Sequence, residues 1–246
     1  MNIDHIDVVT THRCNMHCKY CIDTFLNKDG CDVDVGRVED FLSRIRKSYG
    51  DGLTVLLLGG EPTMLGEAGM RSLAKAIHAL GFESCVSTNG KNKEVIKAML
   101  PYYDWMQITM HSAKDIEYWK PYCKTINAKL SGDQYLTLSK LDAFKDAAKE
   151  FGRRSVSMYF TPDFKELCTD REVWEYLNGL DWVRSSSYMY AMDDGVRFKR
   201  CIPGETNIID EPRIPKFYPN GNYNKTWCNE DMDDYLEIYD RDEAYA

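Results

Sequence analysis

Three cysteines within a short run carry the most distinctive chemistry of this sequence. Cys14, Cys18 and Cys21 stand in the stretch Thr10-Thr11-His12-Arg13-Cys14-Asn15-Met16-His17-Cys18-Lys19-Tyr20-Cys21, with three and then two residues between them. Thiolates are soft ligands that suit iron–sulfur clusters, zinc or cuprous ion. A cube of four irons has four corners, and this loop supplies thiolate to three. The fourth iron would stay open to a small ligand, as a catalytic zinc keeps one position free. The same spacing also reads as a zinc site completed by His12 or His17, or as three unrelated core cysteines.

With Asn15 after the first cysteine and Tyr20 before the last, the loop resembles the cluster loop of the radical S-adenosylmethionine (SAM) superfamily. The resemblance implies a 4Fe–4S cluster on Cys14, Cys18 and Cys21, whose open iron chelates SAM's amino and carboxylate groups. It implies reductive cleavage of SAM to methionine and a 5′-deoxyadenosyl radical that abstracts hydrogen from substrate. The electron would come from a reductant such as flavodoxin or ferredoxin. Gly59-Gly60-Glu61-Pro62 resembles the family's SAM amino-group site, and its two glycines let backbone approach a ligand closely. Ser87, Thr88 and Asn89 offer hydroxyl and amide groups for a carboxylate or ribose, with Ser87 and Asn89 the stronger candidates. His111 and Ser112 are assigned to SAM's ribose or the substrate, and Tyr20 to the adenine or the cluster. Plainer readings stand beside these: a tight turn at Gly59–Pro62, a strand-terminating turn at Asn89-Gly90, and solvation for Arg13, His12 and His17.

Elements that could position these residues follow from periodicity. Short strands alternate with helical patterns, the mark of βαβ units and a parallel sheet. Strands are predicted at 3–10, 53–58, 82–88, 103–110, 155–160 and 182–191. The second should be buried on both faces by its continuous apolar run. Helices are predicted at 35–49, 66–80, 92–100, from a Ser139 N-cap onward, and at 169–177. Gly81 sits where a left-handed cap is wanted. Residues 113–138 read as a long irregular connection. An eight-unit barrel typically needs about 250 residues, so some 190 residues fit a partial (β/α)6 TIM-type barrel, which is also the core fold of the family resembled. Residues 1–191 form that core, and 192–246 a short irregular C-terminal cap with an acidic tail. The cluster loop follows the first strand, the Gly-Gly turn the second, Ser87–Gly90 the third and His111 the fourth. Active sites of parallel barrels gather at those strand ends.

Composition narrows the function classes. The 246 residues are 43% hydrophobic, enough for one sizeable core. Nine cysteines in an uneven distribution argue against a secreted disulfide framework and for a reducing cytoplasm. Cys31, Cys85, Cys123 and Cys168 read as small buried residues. Cys201 and Cys228 are too few for an auxiliary cluster unless Cys168 or Cys123 joins them; a thiol hydrogen donor is the other reading. The N-terminus lacks the pattern of a signal peptide, and no apolar run reaches membrane-helix length. A net charge of −8 disfavours a duplex nucleic acid partner.

Members of the family resembled modify peptides, nucleobases and small metabolites. No appended peptide-recognition domain and no full auxiliary-cluster set are legible here, which favours a nucleoside, nucleobase or small amino-acid-like substrate. Trp119, Tyr122, Trp182, Tyr188 and Tyr190 are the aromatic candidates for stacking on a base. By size alone, the compact radical SAM isomerases of phage-type thymine hypermodification are a further candidate class. A radical SAM peptide-modifying enzyme and a non-catalytic zinc or iron–sulfur electron-transfer protein are the alternatives.

Overall fold

Apolar runs become strands and amphipathic stretches become helices, in the predicted order for the first hundred residues. The computed structural model describes residues 5–18, 31–133, 138–159, 188–192, 195–200, 209–210, 216–221 and 223–224. They fall into two compact units, the first drawn from 1–16, 27–106 and 213–246, the second from 17–26 and 107–212.

In the first unit β1 (His5–Val9), β2 (Thr54–Leu58) and β3 (Glu83–Thr88) run parallel, with Asp7 opposite Leu56 and Leu56 opposite Cys85. Helix α1 (Val35–Tyr49) lies between β1 and β2 in sequence. Asp34 caps its start, its Oδ1 accepting the Arg37 N–H at 2.9 Å. Val38, Phe41, Leu42 and Ile45 recur at three- and four-residue spacing and are all buried. Each contributes roughly 1.5–3 kcal/mol by leaving water. Helix α2 (Gly66–Ala79) buries Met70, Leu73, Ala74 and Ile77, and Gly81 behind it takes a φ of 79°, the left-handed stop the sequence predicts. Helix α3 (Lys93–Met99) ends before Pro101. Leu56 is only half-buried, so β2 is not covered on both faces as its apolar run suggests.

The chain leaves the first unit inside β4 (Trp105–Thr109). The second unit departs from the sequence reading at once. In place of an irregular connection it has α4 (Ala113–Trp119), a 3-10 turn at Lys120–Tyr122 and β5 (Ile126–Asp133). Ser112 caps α4 by accepting the Asp115 N–H, and Pro121 stands in the first turn of the 3-10 helix. The strand was concealed by buried polar residues, Asn127 at 7% and Lys129 at 9% exposure, which break up its apolar run. Helix α5 (Leu138–Ala147) begins one residue before Ser139, so Ser139 lies inside it and is not its N-cap. Phe144, Ala148 and Phe151 are buried as the periodicity predicts. Strand β6 (Arg153–Tyr159) pairs parallel with β5 and with β7 (Tyr188–Met192). Strands β8 (Gly195–Arg200) and β9 (Ile209–Asp210) follow in antiparallel pairing. The helix predicted at 169–177 lies outside the described residues.

The first unit then receives two late strands. Strand β10 (Lys216–Phe217) pairs parallel with the free side of β1, and β11 (Tyr223–Asn224) pairs antiparallel with β10. Phe217 meets Phe41 of α1 with ring centroids 5.0 Å apart, while Tyr218 packs on Val9 and Leu58 on the other face. Among the described residues no helix is long and apolar enough to cross a membrane.

Candidate functional site

Three strand ends of the first unit, those of β1, β2 and β3, are stitched together by backbone and side-chain hydrogen bonds. Thr10, just past β1, donates its N–H (2.7 Å) and its hydroxyl (3.0 Å) to the Leu58 carbonyl at the end of β2. Thr11 forms an antiparallel bridge with Asp32 and donates its hydroxyl to Asp32 Oδ1 at 2.7 Å. The Val33 N–H reaches the Thr10 carbonyl at 2.8 Å. The two feet of the cysteine loop are thereby clasped at its neck.

Arg13 completes the clasp. Its Nε and Nη2 form a two-pronged pair with Asp32, and Nη2 also donates to the Met64 carbonyl at 3.1 Å. Such forked arginine–carboxylate pairs fix orientation as well as adding energy. The Arg13 side chain is exposed to solvent, as predicted, and is also tied down by these bonds. Its fork joins the cysteine loop to the 3-10 turn Pro62–Leu65, which nothing in the local sequence announces.

The glycine pair presses against that loop. The Gly60 N–H donates to the Thr11 carbonyl at 2.7 Å and the Glu61 N–H to the Arg13 carbonyl at 2.8 Å. A Cβ on Gly59, whose φ is 130°, would stand 2.5 Å from the Thr11 carbonyl oxygen; one on Gly60 would stand 2.4 Å from that of Arg13. The close approach that these glycines permit is to the chain's own cysteine loop. Pro62 opens the 3-10 turn and is buried.

Glu61 is 1% exposed. Its Oε1 accepts the Thr63 N–H (3.2 Å), the Thr63 hydroxyl (2.6 Å) and the Thr88 hydroxyl (2.6 Å), and its Oε2 accepts the Asn89 N–H at 2.7 Å. Asn89 in turn donates from Nδ2 to Asn15 Oδ1 at 2.7 Å and lies 3.8 Å from Cys14 Sγ. The Met16 N–H approaches the same sulfur at 3.4 Å. Ser87 is half-buried, and among the described residues its hydroxyl has no hydrogen-bond partner. Gly90 turns the chain away with a φ of 76°. Thr63 and Thr88 are the residues that sequence reasoning undervalued, because only the fold aims both hydroxyls at one carboxylate.

Cys14 and Cys18 are half-buried, the first in the first unit and the second in the other. Cys21 and Tyr20 lie outside the described residues. His12 is half-buried and His17 exposed. Among the described residues no three His, Cys, Asp or Glu side chains gather as a metal-holding group. Cys85 is buried as predicted and Cys123 half-buried, but Cys31 is exposed, correcting its assignment to a buried site. Cys168, Cys201 and Cys228 fall outside the described residues.

In the second unit His111 is exposed, and its backbone N–H donates to Asp115 Oδ2 at 3.1 Å. The Ser112 hydroxyl donates to the same oxygen at 3.0 Å and serves the α4 cap. Trp119 is fully buried between Tyr118 and Tyr122, which removes it from the base-stacking candidates. Tyr122 remains 37% exposed. Trp182 is outside the described residues, and Tyr188 and Tyr190 are placed only as backbone of β7.

Known proteins resemble this chain in sequence and in fold. The family model of the Radical SAM superfamily matches residues 8–160. An S-adenosylmethionine-dependent nucleotide dehydratase of Lacinutrix mariniflava is 30% identical over 104 residues, covering 40% of this chain and 21% of its own length. The crystal structure of Streptococcus suis SuiB bound to precursor peptide SuiA matches with a TM-score of 0.59 at 14% identity, covering 94% of this chain and 63% of that one. Native anSMEcpe with bound AdoMet matches with a TM-score of 0.56 at 15% identity, covering 80% and 74%. The chain thus spans about a fifth of the curated relative and under two thirds of SuiB. At such identities the shared property of the structures is the fold: α/β, of the partial TIM-type barrel kind that the strand pattern predicts.

Proposed function

The chain belongs to the radical SAM superfamily, and from that premise we propose that it cleaves SAM at the joined ends of β1, β2 and β3. The observation that carries this reading is the junction itself, where Asn89 at the end of β3 reaches Asn15 and Cys14 of the cysteine loop while the Gly59-Gly60 turn packs on the same loop. Cys14, Cys18 and Cys21 would hold a 4Fe–4S cluster. The donor set fits it, since Cys14 offers a half-buried sulfur faced by two N–H groups, the kind of contact that tunes cluster thiolates. When bound, the cluster and SAM supply a one-electron cleavage of a sulfonium C–S bond that yields a hydrogen-abstracting 5′-deoxyadenosyl radical.

The chain's own residues bind and orient. Backbone groups of Gly59, Gly60, Glu61 and Pro62 take SAM's amino group, and the hydroxyl of Ser87 and the amide of Asn89 face its carboxylate or ribose. Tyr20 is assigned to the adenine or the cluster, His111 to the ribose or substrate, and Ser112 joins His111 through the shared Asp115. The electron would come from a flavodoxin- or ferredoxin-type donor.

For substrate we favour a nucleoside or nucleotide, supported by the similarity to a nucleotide dehydratase. The test is anaerobic reconstitution followed by addition of SAM and reductant. Iron and sulfide should load, and 5′-deoxyadenosine should form in wild type but not in Cys18→Ala. Deuterated nucleotides should pass label into 5′-deoxyadenosine; label arriving instead from a peptide would redirect the substrate assignment. Tightly held zinc without SAM binding would sink the proposal.

A further inference from the structure

Glu61 sits in the turn that resembles a SAM amino-group site, yet its side chain is turned inward. We propose that Glu61 is a positioning residue, whose buried carboxylate joins the β2 turn to the β3 end and so sets Asn89 against Cys14. This deepens the SAM-cleaving reading and rests on it. The carboxylate is 1% exposed, and three donors converge on Oε1 alone. A carboxylate oxygen has two lone pairs, so Oε1 has no capacity for an incoming ammonium. The remaining oxygen, Oε2, holds the Asn89 N–H, and that bond fixes the residue whose side-chain amide lies 2.7 Å from Asn15 Oδ1 and 3.8 Å from Cys14 Sγ. Oε2 keeps a second lone pair, but with Glu61 only 1% exposed it is closed in by the turn, and SAM's amino group is left to the backbone.

Thr63 and Thr88 share the task. Each donates its hydroxyl to Oε1, one from the 3-10 turn and one from the last residue of β3. The arrangement is closed: two donors come from the β2 side, two from the β3 side, and no cation of the chain is among these partners. Such a buried, fully satisfied network fixes geometry, because leaving any one donor unpaired costs its full desolvation.

Glu61→Gln tests this. The amide keeps the shape but must point its NH2 either at the Asn89 N–H or at the three donors on Oε1, so donor meets donor in both placements. The apo protein should melt at lower temperature, before any cluster or SAM is present. In reconstituted protein, SAM should bind about tenfold more weakly, the size of one lost charge-assisted hydrogen bond. A SAM analogue lacking the amino group separates the roles. If Glu61 only positions, removing that group weakens binding by the same factor in wild type and in Glu61→Gln. The cluster's midpoint potential should become more negative in Asn89→Leu and in Thr88→Val, which keep the Glu61 charge, as the N–H contact to Cys14 is lost or loosened. Leu73→Ala, a buried change on α2, should lower the melting temperature without moving the potential. Should Glu61→Gln fail to fold, Thr88→Val removes one donor at equal shape and should shift melting in the same direction. An unchanged apo melting temperature, together with loss of discrimination between SAM and its deaminated analogue, would overturn the proposal. Failure of the wild type to bind SAM would sink the functional reading instead, leaving apo melting and cluster potential to decide the role of Glu61.

Discussion

Gly60 shows what one residue can be required for. Its missing Cβ is the space taken by the carbonyl oxygens of His12 and Arg13, and backbone atoms do not yield as a side-chain tip does. Gly60→Ala should therefore cost about 1–3 kcal/mol, the range of overpacked substitutions, and should lower iron loading in parallel. Thermal unfolding and iron assay read the two effects. Asp104, just before β4, ties stability to pH in the acid range. Burial pushes its carboxyl up, but the Ser84 N–H, His78 and the Ser84 hydroxyl together hold it below the ordinary carboxylate range. A lowered folded pKa adds stability that is present above the unfolded value of about 4 and is lost as pH falls through the folded one. Asp104→Asn should thus be less stable than wild type at neutral pH, with the gap closing in acid. Because the side chain is 44% exposed, the gap should be only a few tenths to about 1 kcal/mol, measured by chemical denaturation across pH.

Elements show where local pattern suffices and where it does not. Helix α1 was legible because Val38, Phe41, Leu42 and Ile45 make one apolar stripe, Asp34 caps it and Gly50 ends it with a φ of 86°. Each of these signals lies within a few residues of the feature it specifies. Ile45→Ala should destabilise by about 2–5 kcal/mol, as buried Ile-to-Ala changes do, in urea unfolding monitored by circular dichroism. Strand β5 was illegible for the opposite reason. Its Asn127 and Lys129 are buried, whereas from sequence such residues are read as surface ones. Ser112 reads from sequence as a contact to SAM's ribose or the substrate. In the fold it caps α4 and bonds Asp115.

At the scale of the whole molecule, the late segment of the chain returns to its beginning. Strand β10 covers the edge of β1, Arg37 Nη1 donates to the Asn220 carbonyl at 3.0 Å, and Phe217 and Tyr218 seal opposite faces. Those two aromatic side chains contribute roughly 3–6 kcal/mol, a large part of the about 5–15 kcal/mol that holds a domain folded. Deleting residues 213–246 should lower the melting temperature and cause concentration-dependent aggregation at the bared β1 edge, as read by light scattering. The sequence by itself determined the membership of the radical SAM superfamily, the need for glycine at 59 and 60, and the strand-and-helix order through β4. All of these are matters of residue type and near-neighbour spacing. Only the tertiary structure decided which groups Glu61 and Arg13 meet, and that β10 belongs beside β1. Hydrogen-bond partners across strands are set by register and packing between segments far apart in the chain, and no local pattern encodes them.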